Sequence, residues 1–190
     1  MSATGDAGVL VVDDESEVTD LYERWLDEYD PHVVHDGDEA IATLDRLGDR
    51  VDVVLLDRKM PGRNGEDVLE AIREREYDCR VAMITAVKPD YDIVEMEFDD
   101  YVTKPVDGET LRETVESLHR RTQYAELLTR YYSLVAKHAS LREELPASEL
   151  RESEEFARLE LEIEHVREEL AGTVDFDDHR EVQHLLRELD

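Results

Sequence analysis

Cysteine is nearly absent from this 190-residue chain. Cys79 stands alone, so no disulfide can form within it. It precedes an apolar run and has no His nearby in sequence, the setting of a buried structural thiol rather than a nucleophile. Long apolar runs are missing too. None approaches the ~20 residues that a membrane span needs, and Met1 to Gly8 is small and polar, unlike a signal peptide. The expected location is the cytoplasm, with no membrane partner. Lysine is scarce, at four residues (59, 88, 104 and 137). There is no glycine-rich phosphate loop, no G-x-S-x-G and no H-E-x-x-H. His32, His35, His119, His138, His165, His179 and His184 show no ligand-pair spacing. These absences argue against independent catalysis and against a histidine-held metal.

What the chain has in abundance is acid. Carboxylates number 51 against 22 Lys plus Arg, for a net charge of -29. Such a surface repels nucleic acid and anionic membranes at ordinary salt. At molar salt the Debye length shrinks to ~3 Å and the self-repulsion is largely screened. The acids are interleaved with Arg and apolar residues rather than blocked into a tail. That is the composition of a protein from a salt-accumulating cell.

Three of these carboxylates are placed unlike the rest. Asp13 and Asp14 end the run Val9–Val12, and Asp57 ends the run Val51–Leu56. Each run is short, β-branched and nearly continuous, as a strand covered on both faces would be. Helical patterns follow them. One runs from Ser16, as N-cap, to about Tyr29. Asp36, with Glu39 three residues on, opens another to Leu47. Asn64-Gly65 precedes a third, to about Arg75. Further strands are expected at Val33-Val34, Arg80–Ile84 and Asp100–Thr103, with Asp107 capping the last helix of this part. The alternation predicts parallel βα units. Ligands of such sheets gather beyond the carboxyl ends of the strands, at the topological switch point. Carboxylates crowded there repel one another unless a cation sits among them, and oxygen ligands suit Mg²⁺. Thr85 and Lys104 end two more strands. Their hydroxyl and ammonium are the partners a phosphoryl oxygen needs.

Taken in order, these islands resemble the receiver domain of two-component response regulators. The matching residues are Val11-Val12-Asp13-Asp14-Glu15, Leu55-Leu56-Asp57 with Met60-Pro61-Gly62 and Gly65, Thr85-Ala86, and Asp99 through Pro105. The resemblance covers residues 7–121. It implies an α/β, flavodoxin-like fold of five parallel strands in the order 2-1-3-4-5. It also implies phosphorylation of Asp57 by a sensor histidine kinase, with Mg²⁺ as cofactor. Asp57 would be the nucleophile, Asp14 a direct Mg²⁺ ligand, Asp13 a ligand through water, and Lys59 a ligand through its backbone carbonyl. Lys104 would contact one phosphoryl oxygen and Thr85 another. The resemblance implies a cis Lys104–Pro105 bond and makes Tyr101 the candidate switch aromatic. The residue pattern alone reads Tyr101 equally well as a half-buried strand residue. Glu15 is equally a third pocket acid or a helix-start acid near the macrodipole. No enzyme activity is implied beyond self-phosphorylation and autodephosphorylation. One stretch departs from the family. Val87 to Phe98 carries Pro89 and Asp90 where most receivers have a Gly/Ala-rich helix. This predicts a late start and a short helix, and it counts against a dimer built on the family's fourth helix, fifth strand and fifth helix.

From Thr122 onward only helical patterns remain. Leu127, Tyr131, Leu134, His138, Leu141 and Leu145 recur at 4, 3, 4, 3 and 4. Pro146 stops them, and Ser148 is placed to cap the next helix. Phe156, Leu159, Ile163, Val166 and Leu170 repeat at 3, 4, 3 and 4, and Gly172 is a natural stop. A last stripe is Val182, Leu185, Leu186 and Leu189, behind Asp178 and Glu181. The simplest fold is an antiparallel α-helical hairpin with a remaining apolar face for homodimerisation; pairing of each stripe with a second chain as a coiled coil is the alternative. Residues 122–190 are thus a second, helical domain, and the whole is similar to haloarchaeal response regulators carrying the HalX domain. The expected output is protein–protein contact by the helical tail. The alternative is a DNA-binding transcriptional regulator whose C-terminal helices contact DNA at high salt. Residues 121–190 hold nine basic against 18 acidic residues and no helix-turn-helix with a basic recognition helix, which disfavours DNA. A hydrolase using the acidic site on an external phosphoester is the third reading, and no cap domain for it is visible.

Overall fold

The computed structural model describes residues 7–173. Five parallel strands form one sheet in the order β2-β1-β3-β4-β5. They are β1 (Val9–Val12), β2 (His32–Val34), β3 (Val53–Leu56), β4 (Arg80–Thr85) and β5 (Asp100–Thr103). The helices around it are α1 (Ser16–Trp25), α2 (Gly37–Leu47), α3 (Gly65–Glu74) and the start of α4 (Gly108–Glu144).

Strand periodicity explains the layers. Leu10, Val12, Val54, Leu56, Val81 and Met83 pack into one core with Ala40, Ile41 and Leu44 of α2 and Val68, Leu69 and Ile72 of α3. The alternate residues Val9, Val11, Val53, Leu55, Ala82 and Ile84 pack into a second core with Tyr22 of α1, Leu26, and Leu111, Val115 and Leu118 of α4. With both faces covered, the inner strands read as unbroken apolar runs. The register sets Val12 beside Leu56, Leu56 beside Met83 and Thr85 beside Thr103. All carboxyl ends therefore finish on one edge.

The boundaries differ from expectation at several points. Ser16 is the first residue of α1, and Glu15 is its N-cap without a side-chain bond. That helix ends at Trp25, and a 3₁₀ turn covers Asp27–Tyr29. The turn closes on Asp30 at φ 46, left-handed backbone that Asp tolerates. β3 begins at Val53; just before it the Asp52 carboxylate accepts from the Gly8 amide at 2.7 Å while the Asp52 amide donates to the Gly8 carbonyl at 2.8 Å. Asp36 caps α2 by accepting from the Glu39 amide at 2.8 Å, but Glu39 reaches back to the His35 amide, at 3.2 Å. Asn64 and Asp67 form a full capping box on α3. Asp107 caps α4 through the Thr110 amide at 2.9 Å. Between β4 and β5 the short helix is a single 3₁₀ stretch, Tyr91–Glu95, capped by Asp90.

The chain divides into two compact units after Thr122. In the second, α4 continues to Glu144, followed by α5 (Ala147–Glu152) and α6 (Glu154–Thr173). Pro146, not Ser148, is the N-cap of α5, since its extended ψ of 143 ends the preceding helix. A break at Ser153 follows, where the hydroxyl accepts from the Phe156 amide at 3.1 Å and caps α6. Gly172 lies within α6. Arg130 pairs with Glu162 at 2.7 Å, and the His138 ring stacks on Phe156 with centroids 4.9 Å apart. Contacts thus run in opposite order along the two helices, an antiparallel hairpin. Leu134, Leu150, Phe156 and Val166 are its buried residues. Among the described residues, no helix is long and apolar enough to cross a membrane. The stripe Val182, Leu185, Leu186 and Leu189, with Asp178 and Glu181, lies outside the described residues.

Candidate functional site

The sheet register brings the strand-end acids together. The Asp57 amide donates to the Val12 carbonyl at 2.8 Å, which sets Asp57 beside Asp13 at the switch between β1 and β3. Each of Asp13, Asp14 and Asp57 offers a carboxylate oxygen, and these oxygens lie within 4.8 Å of one another. Asp13 and Asp57 are buried, at 2% and 7% exposure, while Asp14 is exposed. Three hard oxygen donors with one face open to solvent are a fitting donor set for Mg²⁺.

Lys104 arrives from the far side. Its amide donates to the Thr85 carbonyl at 2.8 Å, continuing the β4–β5 ladder past the strand end. Its Nζ donates to Asp13 Oδ2 at 2.6 Å and sits 3.5 Å from Asp57 Oδ1. Burial pulls the Lys104 pKa down, but the bond to Asp13 and the charges of Asp13 and Asp57 outweigh it and hold the group above its usual value. Asp57 is also raised. Burial is the main cause and the Asp13 charge adds to it, while Lys104 and a hydrogen bond from the Thr85 hydroxyl act in the opposite direction. The Lys104–Pro105 bond is cis.

The remaining anticipated residues surround this group. Thr85 is buried, and its hydroxyl oxygen accepts from the Val87 amide at 3.3 Å. The Lys59 amide donates to Asp57 Oδ2 at 3.3 Å, while its exposed ammonium reaches Glu66 at 3.2 Å. Tyr101 is half-buried in β5. Its hydroxyl donates to the Val87 carbonyl at 2.8 Å, and its ring lies 5.4 Å from Phe98. Glu15 is exposed, and its amide donates to Asp13 Oδ1 at 3.0 Å. Cys79 is buried, and burial pushes its thiol up to about 11.

Two features escaped the sequence reading. The first is Arg58, buried between Asp57 and Lys59, whose guanidinium pairs with Glu66 and Asp92. Those partners lie 8 and 34 residues away, so no local pattern marks the group. The second is the role of Gly65, matched above only as a motif residue. A Cβ there would lie 2.1 Å from the Asp57 carbonyl oxygen. Space beside the Asp57 backbone, rather than a special torsion, is what this glycine supplies.

Comparison with known proteins agrees with this geometry. A family model described as the response regulator receiver domain matches residues 9–116, and one for the HalX domain matches residues 120–186. A relative from Haloferax volcanii, named as a transcriptional regulator, is 48% identical over 163 residues, 85% of this chain and 27% of that protein. The transcriptional regulatory protein CpxR of Escherichia coli is 37% identical over 123 residues, 62% of this chain and 51% of that protein. The chain therefore spans only a quarter to a half of the length of these relatives. Among solved structures, the signal receiver domain of a LuxO repressor protein from Vibrio parahaemolyticus matches at TM-score 0.59 and 26% identity, covering 64% of this chain and 96% of that one. The response regulator TrrA of Thermotoga maritima, in complex with Mg²⁺ and BeF, matches at TM-score 0.50 and 29% identity, covering 59% of this chain and 98% of that one. With more than half of its length matched by that model and the acids and Lys104 converging at one sheet edge, the chain belongs to the response regulator receiver domain family, here followed by a HalX domain.

Proposed function

We propose that this chain is a phosphorylation switch in which Asp57 accepts a phosphoryl group from the phosphohistidine of a sensor histidine kinase. The supporting observation is the convergence of a buried Asp57, two further Asp carboxylates and the Lys104 ammonium at the β1/β3 switch point. The phosphorus–nitrogen bond of the donor breaks as a bond forms between an Asp57 oxygen and phosphorus, and the imidazole leaves with the electron pair. Asp14, Asp57, the Lys59 carbonyl and, through water, Asp13 would hold Mg²⁺. Bound there, the ion neutralises charge on the carboxylate and on the transferring group. Lys104 holds a second phosphoryl oxygen, and Thr85 turns its hydroxyl to a third. That turn releases the Val87 amide, and Tyr101, bonded to the Val87 carbonyl, follows as the switch aromatic. Residues 7–121 act as the receiver and 122–190 as the output element, which works in the cytoplasm through protein contacts of its hairpin.

The test is intact-mass analysis in molar KCl with Mg²⁺ and acetyl phosphate. One phosphate adduct is expected, absent from Asp57→Asn. Label persisting in that variant would move the phosphoacceptor elsewhere. Asp14→Ala should lose most Mg²⁺ affinity, and an unchanged titration would remove it from the ligand set.

A second reading of the output is contact with DNA by the helical segment. It is favoured by one observation: the Haloferax relative, whose match extends past the receiver, is named as a transcriptional regulator. DNA retention at molar salt that depends on residues 123–173 would establish it. Retention lost with rising salt at the rate of simple counterion release would mark non-specific binding.

A further inference from the structure

The chemistry above gives no role to the buried cation next to the phosphoacceptor. The Arg58 side chain is 4% exposed, and burial of a guanidinium is costly unless its five donors are matched. Nε donates to Glu66 Oε1 at 2.7 Å, and Nη2 donates to Asp92. Nη1 is buried and has no hydrogen-bond partner among the described residues. One charge is thus clamped between two carboxylates on different elements: the first turn of α3 and the 3₁₀ stretch Tyr91–Glu95.

That stretch has little else to hold it. Its Tyr91 and Val94 side chains are 91% and 78% exposed. At its two ends the Ile93 amide donates to the Asp90 carbonyl and the Met96 amide to the Ile93 carbonyl, both at 3.1 Å. Among the described residues, Asp92 makes the only ion pair from this stretch. Arg58 is also tied back to the site by a second route. The bond to Asp92 is the main cause that holds the Arg58 pKa high, and the Tyr101 hydroxyl adds to it. That hydroxyl donates to the Val87 carbonyl, the Val87 amide donates to the Thr85 hydroxyl oxygen, and the Thr85 hydroxyl acts on the Asp57 carboxyl, drawing its pKa down against burial.

We propose that Arg58 is a positioning residue that ties the 91–95 turn to the phosphoacceptor loop through Asp92, so that the mobility of that turn follows the state of Asp57. The inference rests on Asp57 being the phosphoacceptor. A phosphoryl group on Asp57 adds negative charge and acceptor oxygens at the residue before Arg58, so the loop that carries the clamp rearranges around it. Rearrangement of Thr85 and Tyr101 disturbs the same cation from its other side. Both changes weaken the clamp, giving the turn two states that phosphorylation biases.

Hydrogen–deuterium exchange on the full chain in molar KCl and Mg²⁺ tests this, with and without acetyl phosphate and with adducts counted by intact mass. In Asp92→Asn, exchange over residues 90–96 should rise about tenfold without the phosphodonor, the worth of one half-exposed charge-assisted bond. The donor should speed exchange there in the wild type and add little in Asp92→Asn, although that variant still takes its adduct. Asp92→Glu should restore the response. Wild-type exchange in donor-free Asp92→Asn would overturn the clamp. A full-sized donor response in Asp92→Asn would overturn the coupling. No adduct on the wild type would refute the phosphoacceptor reading and with it the coupling, while the donor-free comparison still decides the clamp.

Discussion

Gly65→Ala is the sharpest test of how the site is built. A Cβ at this position would lie 2.1 Å from the Asp57 carbonyl oxygen, 2.9 Å from Arg58 Cα and 3.0 Å from the Asp57 carbonyl carbon. Ordinary contact begins at 3.4 Å, so the loop must retreat by about 1.3 Å. All three neighbours are backbone, and no rotamer change can relieve them. The Gly65 amide also donates to the Arg58 carbonyl at 3.0 Å, which fixes the spacing. Overpacking of this kind costs about 1–3 kcal/mol, and the upper half of that range applies to rigid neighbours. Alanine in place of glycine at the start of α3 returns ~0.5–1 kcal/mol. The net loss is about 1–2.5 kcal/mol, a fall of roughly 4–10 °C in Tm for a unit of this size. The effect on chemistry is larger, because a displacement near 1 Å at a reacting carboxylate costs on the order of 10²-fold in rate. The assays are thermal unfolding and the rate of acetyl phosphate labelling, both in molar KCl. Gly172→Ala is the control, since nothing lies within 4 Å of a Cβ there. It should not lower Tm and should leave labelling untouched. Labelling of Gly65→Ala within twofold of wild type at an unchanged Tm would refute the packing argument.

The other predictions concern the charges. Asp57 has a raised carboxyl pKa, so the folded chain binds that proton more tightly than the unfolded one. In Mg²⁺-free solution its contribution to stability is fully present below the unfolded value and declines as pH rises through the folded one. Asp57→Asn should flatten that decline in a pH series of unfolding curves, and an identical profile would show that the group is not strained. Lys104→Met leaves Asp13 buried at 2% exposure without its cation, and removing one partner of such a pair costs about 3–5 kcal/mol. Mg²⁺ should restore part of this in thermal unfolding, while equal loss with and without Mg²⁺ would mean the ion does not neutralise Asp13. The Cys79 thiol, pushed up to about 11 by burial, should resist a disulfide reagent at pH 8 until denaturant is added. Prompt native reactivity would show that the strand edge opens.

Much of the fold was legible because both layers of the core leave the same trace in sequence. Val9–Val12 and Val53–Leu56 feed their alternate residues to opposite cores, so each reads as a continuous apolar run ending at an acid. Caps that act within three or four residues, such as Asp36 and Asp107, were equally visible. Element ends were less legible. The apolar run from Val51 includes Asp52, whose carboxylate accepts from the Gly8 amide 44 residues away, and β3 starts just after it. In the second unit, Ser148 has the chemistry of a cap, but Pro146 already ends the helix before it, and the capping hydroxyl belongs to Ser153.

The site divides along the same line. Asp13, Asp57, Thr85 and Lys104 were readable because a parallel register turns four strand ends into one edge. Arg58 was not, because its alternate direction at the end of β3 turns it away from the acids, toward partners from two other segments. Yet the geometry makes the two halves depend on each other. Lys104 lies 2.6 Å from Asp13 and 3.5 Å from Asp57, so in this state the ammonium is held by the acid that does not react. Asp57 is left with the weaker share of that charge, together with burial that disfavours its ionised form. A carboxylate in that position is reactive only once charge is supplied from outside. Next to it, Thr85 accepts from the Val87 amide and Tyr101 donates to the Val87 carbonyl, so a shift of Thr85 toward Asp57 is passed on to Tyr101. On the proposed phosphoacceptor role of Asp57, the burial and charge sharing that disfavour its ionised form in the resting chain belong to the same set of contacts that would carry its modification to the 91–95 turn.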